Sequence, residues 1–172
     1  VSSTRVYGES AGERVDDDTC PQPSDAQGQV LLNMETLWQQ AYPSECVIVR
    51  PTGIYGTSVT RMIKLTETTK SYPKLHWSNR IHIDDLVAFL AHLLHVEHTE
   101  KSYICSNSQP LPLHEIIQWF QQQLGLPVLV LESAVSSGKQ IHATRMQQMN
   151  FELQHPHCFD DYLALLAERE SK

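Results

Sequence analysis

The run Cys46-Val-Ile-Val-Arg50, closed by Pro51, constrains the fold of this chain more than any other stretch. Its apolar residues are continuous rather than alternating, so the segment has no polar face for water and reads as a strand covered on both sides. Proline then removes a ladder donor and ends it. Upstream, Val30, Leu31, Met34, Leu37, Trp38 and Ala41 recur at helical intervals after Gly28 and stop before Pro43, which predicts one amphipathic helix. Before that, Val1-Ser-Ser-Thr-Arg-Val-Tyr-Gly8 reads as the end of a buried strand running into a polar loop. Strand, loop, helix, strand is an α/β crossover unit with a parallel sheet. The two strand exits, Val6-Tyr7-Gly8 and Pro51 to Gly56, are expected side by side.

The remaining segments follow the same logic. Glu9 to Asp25, with Asp16-Asp17-Asp18, Pro21 and Pro23, reads as a surface loop of solvated charge, because it lacks the alternating oxygen ligands of a calcium loop. Val59, Met62 and Ile63 indicate a short helix within 58–72. Trp77-Ser-Asn-Arg-Ile-His-Ile-Asp-Asp85 packs an aromatic, an amide, a guanidinium, an imidazole and two carboxylates into nine residues. Asp84 or Asp85 is placed to cap the next helix, with Leu86, Val87, Leu90, Leu93 and Leu94 as its buried stripe. A strand over 102–106, a helix over 113–124 ended by Gly125 and a strand over 127–131 come next. A Ser/Gly loop and helices over 143–149 and 159–168 complete the chain, the last with Tyr162, Leu163, Leu165 and Leu166 apolar.

Charge and cysteine spacing narrow the function. A net charge of -7, from 13 basic against 20 acidic residues, argues against a nucleic-acid surface, which needs clustered Lys and Arg. No apolar run reaches the roughly 18 residues of a membrane helix, and no signal-like start is seen, so a cytoplasmic protein is expected. Cys20, Cys46, Cys105 and Cys158 have no paired spacing and read as free thiols, most of them buried. His92, His95 and His98 drift by about 60° at each step and read as a polar helix face. His155-Pro-His157 reads as a proline turn with solvent-facing histidines, and no metal is assigned.

In order, Ser2-Ser3-Thr4 with Val6-Tyr7-Gly8, Arg50-Pro51 with Gly53-Ile54-Tyr55-Gly56, and Asn79-Arg80-Ile81-His82-Ile83-Asp84-Asp85 resemble the extended short-chain dehydrogenase/reductases. The similarity is to the NAD-dependent epimerase/dehydratase family, in particular its atypical nucleoside-diphosphate-sugar epimerase-like members. The stretch from Tyr103 to Pro127 matches that family's strand, Pro-Leu turn, helix and Leu-Gly-Leu-Pro ending. The resemblance implies an α/β fold: the C-terminal part of a Rossmann-like parallel sheet with helices, plus a small α/β substrate domain. It places a nucleotide-domain remnant at 1–56 and a substrate-binding portion at 57–172, some of whose segments return to the sheet. A dinucleotide, NAD or NADP, and a small substrate in the nucleotide-sugar class are the implied partners.

Two departures qualify the resemblance. The seven glycines include no phosphate-cradling G-x-x-G-x-x-G or G-x-G-x-x-G turn, so the chain reads as a fragment without its nucleotide-binding half. Alone, it is expected to be inactive and prone to pair with a second copy through open strand edges. No tyrosine has a lysine four residues on; aligned on Glu35, that pair falls on Gln27 and Leu31, which serve neither as acid nor as cation. By resemblance, Ser3 and His82 are the catalytic candidates, Pro51, Thr52 and Gly53 the cofactor-binding ones, and Thr4, Asn79 and Arg80 the substrate-binding ones. Another reading of His82 and Asp85 is an interior hydrogen-bonded pair tying the domains together. Two functions stay open: an epimerase, reductase or dehydratase with a non-standard acid/base, and a non-catalytic NAD(P)-binding sensor.

Overall fold

The computed structural model describes residues 1–97 and 99–170, so His98 lies outside the described residues. The chain opens on a 3-10 turn, Thr4–Val6, not on a strand. Ser3 caps it, its hydroxyl oxygen accepting from Arg5 N; serine and threonine near an element end compete for their own backbone donors in this way. Ser2 N still reaches Val49 O at 2.7 Å, so the segment borders the sheet without extending it.

In chain order follow β1 (Ala11–Val15), α1 (Ala26–Ala41), β2 (Ile48–Pro51), β3 (Gly53–Tyr55), α2 (Thr60–Thr68), β4 (Ser71–Tyr72), β5 (Leu75–Ser78) and β6 (Arg80–His82). Then come α3 (Ile83–Leu93), β7 (Ser102–Cys105), β8 (Leu111–Pro112), α4 (Leu113–Gln123), β9 (Val130–Leu131), β10 (Ser136–Ile141), α5 (Thr144–Gln148) and α6 (Cys158–Glu170). β2 pairs in parallel with β7, β3 with β6 and β4 with β9. A four-stranded sheet runs β1-β10-β5-β8, parallel except where β5 meets β8. The fold is thus α/β with largely parallel pairing, and strands from the first 56 residues are bonded to strands from beyond residue 100.

Strands lie where loops were expected, β1, β3 and β10 among them. β1 has one buried residue, Val15, and β10 is Ser-Ser-Gly-Lys-Gln-Ile, so neither carries the apolar pattern that marks a strand. β10 is held by neighbours on both sides, and pairing overrides its low strand propensity.

α1 is turned the other way from its apolar count. Val30, Leu37 and Trp38 are more than half exposed, while Gly28 and Glu35 face inward. The helix comes so close to the opening turn that a Cβ at Gly28 would sit 2.7 Å from Arg5 O, and Glu35 turns in because a buried cation, Arg50, awaits it. In α3, Leu86 and Phe89 are buried while Val87 and Leu94 face out. Its cap is His82, whose Nδ1 accepts from Asp84 N at 3.3 Å, rather than either aspartate. In α6, Leu163 is exposed and Tyr162 and Leu166 point inward.

The interior forms two clusters. Val6, Val49, Ile81, Phe89, Ile104, Ile141 and Met146 fill one; Val59, Ile63, Ile116, Phe120, Tyr162 and Leu166 fill the other. The acidic triplet is not solvated as a unit. Asp17 is buried and accepts from Ile104 N at 2.6 Å, Arg145 N at 2.9 Å and Thr144 Oγ1 at 3.0 Å, while Asp18 stays exposed and pairs with Arg145.

The four cysteines are free; Cys105 and Cys158 are buried, Cys46 partly so, and Cys20 is exposed. Burial pushes the Cys105 thiol up to about 12 and raises Cys158 as well, and only thiolates react readily. Titration with a thiol reagent at pH 8 is therefore expected to modify Cys20 first and Cys46 more slowly. Cys105 and Cys158 should react only after unfolding; fast modification of four thiols in native protein would contradict this packing. Among the described residues no helix is long and apolar enough to cross a membrane.

Candidate functional site

Parallel pairing carries the opening turn, the β2–β3 junction, the β5–β6 junction and β10 to the rim of one open cleft of about 650 Å³. Its walls bring together Ser3, Thr4, Thr52, Gly53, Asn79 and Lys139, with His76 and Trp77 from β5. Thr4 Oγ1 donates to Pro51 O at 3.4 Å, so the two strand exits do adjoin.

The candidates differ in what they have left to offer a ligand. Ser3 Oγ accepts from Arg5 N at 3.2 Å, which leaves its hydroxyl proton free. Thr52 is buried, and both its N and its Oγ1 donate to Cys105 O. Pro51 is buried behind Thr4, whereas Gly53 is exposed, its N bonded to Asn79 O. Asn79 uses both ends of its amide on β10: Nδ2 donates to Lys139 O and Oδ1 accepts from Ile141 N, each at 2.8 Å.

Arg80 and His82 are not among the cleft's wall residues. Arg80 is buried, its Nε donating to Tyr162 Oη at 2.8 Å and its Nη1 to Ser78 Oγ at 2.9 Å, so it ties β6 to α6. His82 is buried, stacks on His155 at 3.6 Å between centroids and meets the Tyr55 ring edge-on. It does not bond Asp85. Asp85 instead accepts from Gln154 N and His155 N, so each holds the segment before α6 separately.

His155 is consequently no solvent-facing turn residue: its Nδ1 lies 2.6 Å from Asp161 Oδ1, and Asp161 Oδ2 accepts from Tyr55 Oη at 2.5 Å. Burial, with Asp161 beside it, raises the Tyr55 phenol far above its ordinary value, so it remains a donor. His157 is exposed. Ligand atoms of His82, Asp84 and His155 come within 4.8 Å of one another. Imidazole lone pairs lie in the ring plane, and two rings stacked at 18° cannot both aim at one ion. His92, in the last turn of α3, packs against Phe151, and His95, beyond the end of α3, is exposed.

Lys139 escaped the sequence reading because β10 did. It is the single charge between Val135 and Ile141 and it follows a glycine, which was the only signal available. Its ammonium donates to Tyr7 O. Burial pulls it below the ordinary lysine value, against the opposing pull of Glu9, Asp25 and Glu13. A second groove of about 520 Å³ runs along α1 between Met34, Trp38, Tyr42 and Cys46; it is apolar and gathers no comparable chemistry.

A Methylobacillus flagellatus protein named as an NAD-dependent epimerase/dehydratase shares this architecture with a TM-score of 0.86 and 34% identity over 98% of this chain and 63% of that one. This is the fold of the NAD-dependent epimerase/dehydratases. The dTDP-glucose 4,6-dehydratase of Bacillus anthracis, solved with NAD, matches with a TM-score of 0.76 at 15% identity, covering 99% of this chain and 61% of its own. The UDP-glucuronic acid 4-epimerase of Bacillus cereus, also with NAD, matches with a TM-score of 0.68 at 16% identity, covering 89% and 54%. At those identities the likeness is one of fold alone. The chain spans less than two thirds of each of these structures. No protein-family model matches the sequence, and no curated protein does. Gln27, at the start of α1, is exposed, and Leu31 is packed against the core.

Proposed function

We propose that this chain is the substrate-facing part of an atypical NAD(P)-dependent epimerase, dehydratase or reductase acting on a small nucleotide-sugar-like substrate in the Ser3 cleft. The observation that carries the reading is the convergence of Ser3, Thr52, Gly53 and Lys139 on one open cleft, in a fold whose solved neighbours hold NAD. Ser3 orients a substrate carbonyl or hydroxyl through its free proton.

Thr52 and Gly53 offer the cleft no uncommitted side-chain donor, which fits the flat face of a nicotinamide. No glycine-rich turn is present to cradle its phosphates. A bound NAD(P) supplies the hydride acceptor or donor; the residues of this chain position the substrate and exclude water from it. The second reading, a dinucleotide sensor without turnover, draws on Gln27 and Leu31 standing where the acid and its lysine belong.

The test uses the full-length protein with NAD and NADP and a panel of nucleotide sugars, monitored by nicotinamide absorbance. Substrate-dependent turnover that falls about 10²–10³-fold in Ser3→Ala, with cofactor affinity unchanged, is expected by analogy with loss of a single hydrogen-bond donor to a reacting oxygen. Tight cofactor binding with no turnover on any member would select the sensor.

A further inference from the structure

We propose that Lys139 is the residue through which this cleft takes an anionic oxygen group of its ligand, a carboxylate or a phosphate, and that Asn79 and Gly138 position it. The proposal rests on the reading above, since it names the charge that the same cleft selects.

The supply of hydrogen bonds points to that class of ligand. The cleft walls contain no Asp or Glu. Thr4, Thr52, Trp77 and Asn79 are committed to Pro51 O, Cys105 O, Ser136 Oγ and the backbone of β10. His76 Nδ1 is matched with Ser137 Oγ, and Ser78 Oγ accepts from Arg80. What stays available among the wall side chains is mostly donors: the Ser3 and Ser78 hydroxyl protons, the remaining N–H bonds of Lys139 and, at the rim, the Nη groups of Arg5, whose Nε already pairs with Asp25, with Nε2 of the exposed His76 as an acceptor. Two of the donor groups belong to cations. Their complement is a group that only accepts, which is what carboxylate and phosphate oxygens do.

The placement of the lysine is built rather than incidental. Gly138 adopts φ +72, and a Cβ there would lie 2.7 Å from Trp77 O, so the chain approaches β5 as only glycine allows. One residue on, Asn79 grips the carbonyl of Lys139 and the N–H of Ile141, fixing the strand on either side of Gln140. The ammonium is then anchored on the carbonyl of the buried Tyr7. Among the described residues it has no carboxylate within ion-pair distance. A half-buried ammonium whose only hydrogen bond is to one neutral carbonyl gains from an anionic ligand; burial lowers its proton affinity, and Glu9, Asp25 and Glu13, all beyond ion-pair distance, offset that burial only in part.

The experiment combines calorimetry and labelling on the full-length protein. Affinities for UDP-glucuronic acid and UDP-glucose are measured for wild type, Lys139→Met and Lys139→Arg. Modification of Lys139 by trinitrobenzenesulfonate is followed by mass spectrometry with and without inorganic pyrophosphate or either sugar nucleotide. One charge-assisted hydrogen bond corresponds to roughly 10–100-fold in affinity. Lys139→Met should therefore weaken UDP-glucuronic acid at least about tenfold, Lys139→Arg should keep most of the binding, and the anions should protect Lys139 from the reagent. Weakening confined to UDP-glucuronic acid places the contact on the sugar carboxylate; equal weakening of UDP-glucose places it on the phosphates.

Should no sugar nucleotide bind while pyrophosphate protects Lys139, the nucleotide-sugar reading fails and the lysine assignment stands. Labelling indifferent to every anion overturns the assignment. So does protection accompanied by undiminished binding in Lys139→Met, because the amine is then merely covered. If Lys139→Met does not fold, the labelling and the Lys139→Arg affinities decide alone.

Discussion

Glu35→Ala is expected to lower the unfolding free energy by about 3–5 kcal/mol, the range seen when one partner of a buried ion pair is removed. Glu35 is 2% exposed and Arg50 7%. Arg50 donates Nη2 to Glu35 Oε2 at 2.7 Å, Nε to Oε1 at 3.1 Å and Nη1 to Tyr7 Oη at 2.8 Å. Burial pulls the guanidinium down, but Glu35 and Tyr7 outweigh it and hold Arg50 above its ordinary value; a guanidinium is effectively never deprotonated in a protein, so the cation stays charged when its partner is cut away. Urea unfolding followed by circular dichroism should show a lower midpoint at unchanged slope. The double change Glu35→Met with Arg50→Met should recover much of the loss, since two apolar side chains leave no orphaned charge. A loss below about 1 kcal/mol for Glu35→Ala would remove the pair from the account of the fold. The effect reaches the site as well, because the tyrosine that Arg50 holds is the one whose carbonyl seats Lys139.

Asp17→Ala is expected to cost about 3 kcal/mol. Three donors, Ile104 N, Arg145 N and Thr144 Oγ1, end on this one carboxylate, and each buried donor left unsatisfied costs about 1–3 kcal/mol without full additivity. The carboxylate ties the end of β1 to β7 and to the start of α5, and the neighbouring His142 N donates to Val15 O, so the junction after β10 depends on it. Asp17→Asn, which keeps an acceptor, should lose less. Hydrogen exchange supplies the independent readout: the Ile104 amide is expected to lose protection in Asp17→Ala, and retained protection would show that another group holds β7 in place.

Much of this architecture could be read from the residues, and the failures share a cause. Helices with regular apolar spacing, such as 113–124 and 159–168, appear within a few residues of where the spacing puts them, as does the covered strand before Pro51. What failed were elements whose identity is conferred by neighbours: β1, β10 and the inward face of α1. A strand of Ser, Gly, Lys and Gln has no pattern to detect until β1 and β5 flank it, and a glutamate counts as surface until a buried arginine meets it. The same holds for the site. Ser3, Thr4, Thr52, Gly53 and Asn79 were marked by motif and share the cleft; Arg80 and His82 were marked by the same motif and face the α6 packing instead.

By itself, then, the sequence determined the class of fold, the covered strand before Pro51 and the absence of a Tyr-x-x-x-Lys pair, because apolar period, proline and residue identity are local properties; the crossover expected from an opening strand did not form, since Thr4–Val6 is a 3-10 turn and the strand before Pro51 pairs with β7 instead. Only the tertiary structure decided that Asp17 is buried, that Asn79 serves β10 rather than solvent, and that a lysine 136 positions beyond Ser3 stands in the same cleft. Strand pairing brings distant residues together through backbone hydrogen bonds that carry no side-chain signature, so no spacing along the chain could announce it.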